Sequence, residues 1–404
     1  MLTLDMLNIQ GSRAKIRLDL VESVFEFRQI TTFENVVIIG AQHILPTTLS
    51  MLESFFDRGL QPDKVFLIGK CYSTDLQTYY QLRQLGVYVC PSSLTFHKNA
   101  SFDSSYTQNT KSFIDRIIFN ENLLKNQLII VLDDGGEIIH YLNHHSLSHD
   151  YKITAIEQTT SGFQKNKNLK LNMCVMNVAR CKAKLKFESK IVVKTAIQAI
   201  YKRLLFGSIR SENILIVGNG AIGNALANAL EGKFNVSLVD IDPKKSKIPY
   251  EEALKNLSRF DLIIGCVGKT ILPREKIESL KPGTTLISLS SSDREFEIAK
   301  LRSKSNKISS CHDDFECSNG VKVLNCGFPI NFSHEATEVD IEEFELTRSL
   351  LSLGILQAIE LQTEKGFFPI NENDQAQLID QFIQKYSGDH YYGKRKMQNL
   401  RTNY

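Results

Sequence analysis

Asn213-Ile-Leu-Ile-Val-Gly-Asn-Gly-Ala-Ile-Gly-Asn224 decides the reading of this chain, together with Asn235-Val-Ser-Leu-Val-Asp-Ile-Asp242 a helix further on. Four apolar residues run into a glycine-rich turn, an amphipathic segment Ala221 to Leu230 follows, and a second apolar run ends in an acid. That is the order strand, turn, helix, strand of a dinucleotide-binding unit. Gly218 suits the tight turn, Gly220 lets backbone approach a pyrophosphate, and Gly223 lets the helix pack on its strand. Ala221 and Ile222 open the helix whose N-terminus would face the phosphates. Asp240 stands where a carboxylate accepts the adenosine ribose hydroxyls and repels an added 2′-phosphate, so NAD is the cofactor expected.

Outward from this unit the pattern repeats. Asp261 to Gly265, Thr284 to Ser288 and Val321 to Leu324 read as further buried strands of the same sheet. Upstream, Glu34 to Gly40, Lys64 to Gly69, Val87 to Cys90, Gln127 to Asp133, Lys152 to Glu157 and Met173 to Ala179 alternate with helical segments. The fold class is therefore α/β, with two Rossmann-like domains built on parallel sheets. Residues 1 to 33 read as covering helices, the polar Thr95 to Lys111 as a surface loop leading to a helix, and 343 to 361 as a helix with an apolar stripe.

The chain has 404 residues, enough for two cores, and its 48 basic and 45 acidic residues give a net charge of +3. Nothing in that balance calls for a nucleic-acid or membrane partner. No run reaches the roughly 18 apolar residues a membrane helix needs. The eight cysteines lack paired spacing, which suits reduced thiols and a cytoplasmic protein. His140, His144, His145 and His149 sit among polar residues that favour a loop, and Cys311, His312 and Cys317 fall short of a closed metal set; no metal is expected.

Several strands end in residues able to do chemistry. His43 follows the strand ending at Gly40, Asp133 and Asp134 precede Gly135-Gly136, and Glu157-Gln158-Thr159-Thr160-Ser161-Gly162 closes another strand. The aspartates either cap the next helix or serve a ligand. Lys182, Lys184 and Lys186 alternate, and spacing alone singles out none of them.

In this order the landmarks resemble S-adenosylhomocysteine hydrolase over roughly residues 35 to 361. The likeness rests on Gly-x-x-His (Gly40 to His43), Leu-Asp-Asp-Gly-Gly-acid (Leu132 to Glu137), Glu-x-Thr-Thr-x-Gly (Glu157 to Gly162) and Lys-x-Lys-Phe-acid (Lys184 to Glu188). The glycine turn, Asp240-Ile-Asp-Pro243 and Gly327-Phe-Pro-Ile-Asn-Phe332 complete it. The resemblance implies a substrate domain at residues 1–187 completed by 333–370 through a return helix near Val339 to Glu364. It implies an NAD domain at 188–332, a tail at 371–404, and a homo-oligomer, dimer or tetramer.

It also implies a reaction in which NAD transiently oxidises a nucleoside 3′-hydroxyl so that a group on C5′ can be eliminated and replaced by water. Lys184 would then assist loss of the hydroxyl proton, and Asp134 and His43 would act at the C4′ to C5′ side. Glu188 and His334 would join these three as catalytic residues, and all five would line the substrate with Gln158. Thr159, Thr160, Ser161, Ser189 and Asn331 would join the glycine turn around NAD.

The chain departs from the family at Gln158, which stands for a catalytic glutamate, at Glu188 for aspartate, and at Ser189 for asparagine. Ser291 stands for a histidine and Leu45 for a hydroxyl residue. Three readings stay open: such a hydrolase, a related nucleoside enzyme using the same 3′-oxidation for another elimination or epimerisation, and a silent NAD-binding regulator.

Overall fold

A computed structural model describes residues 16–29, 32–118, 126–145, 151–205, 212–305, 307–333 and 344–386. Two sheets organise them. The first holds seven parallel strands: β1 (Val36–Ala41), β2 (Val65–Ile68), β3 (Tyr88–Val89), β4 (Leu128–Asp133), β5 (Lys152–Glu157), β6 (Cys174–Asn177) and β13 (Gly366–Pro369). Their order across the sheet is β13-β6-β5-β4-β1-β2-β3. The second holds β7 (Asn213–Val217), β8 (Asn235–Val239), β9 (Leu262–Gly265), β10 (Thr285–Ser288), β11 (Phe315–Glu316) and β12 (Lys322–Val323). Here the order is β11-β12-β10-β9-β7-β8, and β11 pairs antiparallel at the edge.

The inner strands of both sheets, such as β1 and β7, are buried on both faces, as runs such as Val-Val-Ile-Ile and Ile-Leu-Ile-Val require. Each sheet reverses direction once. Chain order departs to opposite sides at β1/β4 in the first sheet and at β7/β9 in the second, and ligands of open α/β sheets bind at such switch points.

The first sheet is completed from the far end of the chain. The helix Glu345–Glu360 is buried nearly all round, packing on β5, β6 and the helices Asp19–Arg28 and Pro46–Phe56. Its Gly354 lets it lie close on Ile156 and Val178, where an added Cβ would stand 3.1 to 3.5 Å from their methyl carbons. The segment after 371, expected as a tail, instead supplies the helix Glu372–Tyr386, whose apolar Leu378, Ile379 and Phe382 join the same core. Buried Glu345 ties three elements by accepting from Leu20 N, Lys385 Nζ and Tyr386 Oη.

The passage between domains is one continuous helix, Lys182–Leu205. Its first turns pack Phe187 on Phe382 of the first domain, and Val193, Ala196, Ala199 and Ile200 join the second core.

Two loop expectations fail. Phe102–Ile118 is a helix, because Tyr106, Thr110, Phe113, Ile114 and Ile117 share one buried face despite the polar residues between them. Glu137–His144 is also a helix, seated by Ile138, Ile139 and Leu142, with the His140 and His144 rings 4.4 Å apart. His149 and the tail beyond Tyr386 lie outside the described residues, where no helix is long and apolar enough to cross a membrane.

Candidate active site

The strand order β5-β4-β1-β2 carries four polar side chains to one edge: Gln158, Asp134, His43 and Lys70, each one or two residues beyond its strand. Adjacent parallel strands in register deliver them side by side. Asp134 is the hub. Lys70 Nζ donates to its Oδ1, Gln158 Nε2 donates to its Oδ2, and His43 Nε2 lies 3.3 Å from Oδ2. On the other side of the ring His43 Nδ1 is 2.5 Å from Ser73 Oγ. With Asp134 accepting at Nε2, His43 carries its proton there and presents Nδ1 as a base to the serine hydroxyl.

Burial disfavours the Asp134 carboxylate, but the Lys70 ammonium and His43 overcome it and hold the acid well below the usual range. Burial dominates at His43 and lowers its pKa against the pull of Asp134, which keeps the imidazole neutral at physiological pH. Gln158 is therefore no vacant glutamate. Its amide donates to Asp134 while its Oε1 accepts from Gln42 Nε2 at 3.0 Å, so it fixes the hub as an acceptor.

The buried Arg348, from the return helix, donates from Nε to Thr47 Oγ1 at 3.2 Å. Burial lowers its pKa to about 10, with Asp134 and Glu188 both favouring the charge, so the guanidinium stays charged at neutral pH. Glu188 in turn holds Lys184 Nζ at 2.8 Å. The structure separates lysines that spacing could not. The Lys184 side chain is 10 % exposed, whereas Lys182 is 68 % exposed and reaches Glu372 at 3.0 Å.

The second glycine after Asp134 is structural. Gly136 has φ +76°, and a Cβ there would stand 2.5 Å from Asn166 Nδ2, whose amide donates to Gly136 O at 2.9 Å. Asp133 accepts from Ile139 N at 2.8 Å and so serves the turn, while Asp134 serves the site. Behind them Asp133 and Glu157 are register partners, both fully buried. Burial raises both, Asp133 to about 7 and Glu157 well above its usual value.

Thr159 is bound to its own turn. It caps the helix Thr160–Asn166 by accepting from Gly162 N, and its N–H and hydroxyl both donate to Glu157 Oε1 at 2.7 Å. Thr160 and Ser161 are exposed beside it, and Ser189 Oγ donates back to Leu185 O. Asn331 leaves a buried Oδ1 without a partner. His334 lies outside the described residues.

At the second sheet the glycine turn has the features a dinucleotide needs. Gly218 takes φ +107°, and a Cβ at Gly223 would fall 1.8 Å from Gly218 O. At Gly220 a Cβ would meet nothing within 4 Å, so open space lies before the N-terminus of Ala221–Leu230, which has no side-chain cap. Asp240 is pinned by Asn219 N at 2.7 Å on Oδ2 and Asp242 N at 2.9 Å on Oδ1, with one lone pair left on each oxygen. Next to it Ile241 is 81 % exposed, an apolar face at the edge of that space. These residues fit a dinucleotide.

The domains meet over the first site. Phe332 stacks on the His43 ring at 4.8 Å, and Phe328 stacks on Tyr72 at 5.0 Å. Fully buried Arg302 spans the joint, donating to Ala100 O at 2.8 Å and Cys326 O at 3.0 Å while pairing with Asp293 at 2.7 Å.

Lys70, Ser73 and Arg348 escaped the sequence reading. Lys70 had the same signal as His43, a polar residue just past a buried strand, and Arg348 is a charge inside an apolar helix.

No protein-family model matches the chain. It is 35 % identical over 343 residues to the uncharacterized protein Rv0104 of Mycobacterium tuberculosis strain ATCC 25618 / H37Rv, covering 84 % of this chain and 67 % of that one. The uncharacterized protein MT0113 of strain CDC 1551 / Oshkosh matches to the same extent. Among solved structures it is similar to the dipicolinate synthase A chain of Bacillus subtilis, with 12 % identity, TM-score 0.37 and 81 % and 98 % of the two chains covered. L-tryptophan dehydrogenase from Nostoc punctiforme gives 13 % identity, TM-score 0.28 and 87 % of each chain. At such TM-scores these two carry no assignment of activity.

Proposed function

The chain belongs to the family of the Mycobacterium tuberculosis protein Rv0104, and from its two sites we propose an NAD-dependent enzyme acting on S-adenosylhomocysteine or a related nucleoside by transient 3′-oxidation. The observation that carries this is the convergence of His43, Asp134 and Gln158 at one sheet edge, with the Lys184–Glu188 pair linked to them electrostatically through Arg348. Bound NAD supplies a hydride acceptor for the 3′ carbon. Gly218, Gly220, Ala221, Ile222, Gly223 and Asp240 would hold it. Lys184, oriented by Glu188, would receive the 3′-hydroxyl and help its proton leave. His43, neutral and backed by Asp134, would move the proton at C4′ or C5′, and Phe332 would exclude water above it.

The test adds adenosine or S-adenosylhomocysteine to the NAD-loaded protein and follows reduced-nicotinamide absorbance in wild type, Lys184→Ala and Lys182→Ala. Signal in wild type and Lys182→Ala, reduced at least about 100-fold in Lys184→Ala, supports the reading. Homocysteine release identifies the hydrolase, and a new nucleoside without thiol identifies the related enzyme. No signal with either compound, with NAD bound, leaves the regulatory reading in its place.

A further inference from the structure

We propose that Cys71 and Cys311 form a reversible disulfide that ties the two domains together over the site. Cys71 lies in the first domain between Lys70 and Tyr72, and Cys311 in the second. Cys311 Sγ donates to Cys71 O at 3.5 Å, which brings the two cysteines together across the joint. His312, the next residue, has its Nδ1 3.2 Å from Asn325 Oδ1. Two thiols therefore meet across the domain joint, and Cys71 lines an interdomain cavity with Gly69, Phe102, Arg302 and Phe328.

The chemistry is thiol–disulfide exchange with a low-molecular-weight disulfide. The thiolate of Cys71, which lines the cavity, attacks one sulfur of that disulfide and expels a small thiolate, leaving a mixed disulfide on Cys71. Cys311 then gives up its proton and attacks the Cys71 sulfur, expelling the second small thiolate. The protein's two thiols lose two electrons and two protons, and one small disulfide becomes two small thiols. Access sets the order, because Cys71 is half-buried at the cavity whereas Cys311 is buried behind it.

The link would constrain the turn Cys71–Ser73, which carries the Ser73 hydroxyl that orients His43. It would also hold Phe332 on His43 and Phe328 on Tyr72, so that the site stays covered. Neither consequence depends on which substrate the protein takes.

The experiment incubates the full-length protein with oxidised glutathione, counts thiols and maps peptides. The eight thiols should fall by two, with one Cys71–Cys311 cross-linked peptide that dithiothreitol removes. Cys71→Ser and Cys311→Ser should each abolish it, and the wild-type map alone decides should a variant fail to fold. A Cys311–Cys326 link, or no link, overturns the proposal. Amide exchange at residues 71–73 and 328–332 should slow about tenfold or more on oxidation, as expected when local opening is suppressed. A cross-link that leaves exchange unchanged overturns the domain tie.

Discussion

At the C-terminal edge of the first sheet the surface facing a ligand is made of side chains, while at the same edge of the second it is made of backbone. Lys70, Asp134, His43 and Gln158 form a closed network in which each charge already has its partner. The turn at Gly218 to Gly223 offers peptide groups and space. A preformed polar network fails when one member is removed, because the remainder is left buried and unsatisfied. A backbone site fails when atoms are added. The two edges of one fold should thus answer opposite kinds of substitution.

The largest effect belongs to the network. Asp134→Ala strands the Lys70 ammonium, and loss of one partner of a buried pair costs about 3–5 kcal/mol. Urea unfolding should show that loss, and adding Lys70→Met should recover much of it; a double variant no more stable than the single one would mean that the pair does not act as a unit.

Next comes the glycine turn. Gly223→Ala forces a Cβ onto Gly218 O and should cost about 1–3 kcal/mol, as overpacking does. Gly220→Ala meets open space and should leave stability within about 0.5 kcal/mol, while weakening NAD binding. Equal melting temperatures for the two variants would break the contrast.

A third test probes the carboxyl pair behind the network. Asp133 has a raised folded pKa of about 7, so the folded state favours its proton. Its contribution is whole below the unfolded value near 3.8 and declines as pH rises toward 7, because the unfolded chain releases that proton first. The stability difference between wild type and Asp133→Asn should therefore move against wild type by about 3 kcal/mol between pH 4 and 7. Taking the difference cancels the opposing contribution of His43. A flat difference would place Asp133 in contact with water.

The smallest effect concerns Asp240. Asp240→Ala should weaken NAD about tenfold, near 1.4 kcal/mol, and narrow its preference over NADP. Titration with both cofactors checks this, and equal wild-type affinities would remove the carboxylate from that role.

These contrasts also explain what could be read from the chain alone. The glycine turn is local, and every residue that matters there lies within six positions, so its geometry was legible. Asp134 and His43 were legible because they follow apolar strands. The network was not, because it exists only once β1, β2, β4 and β5 are ordered in space, and Arg348 arrives from a helix more than two hundred residues after Asp134. Gln158 shows the same limit. Read singly it is a missing base, and only its bonds to Asp134 and Gln42 make it a positioning group. Phe102 to Lys111 reads as loop because polar residues dominate it, whereas the structure makes it the first part of the helix, held there by Tyr106 and Thr110.

The Glu345–Glu360 helix and β13 have a consequence for biosynthesis. A ribosome releases the whole second sheet before it makes the helix at the centre of the first. The dinucleotide domain can therefore close on itself while its older neighbour still exposes the faces of β5 and β6 that this helix will cover. The first domain begins first and finishes last, so during that interval its apolar surface is the one a chaperone would have to shield.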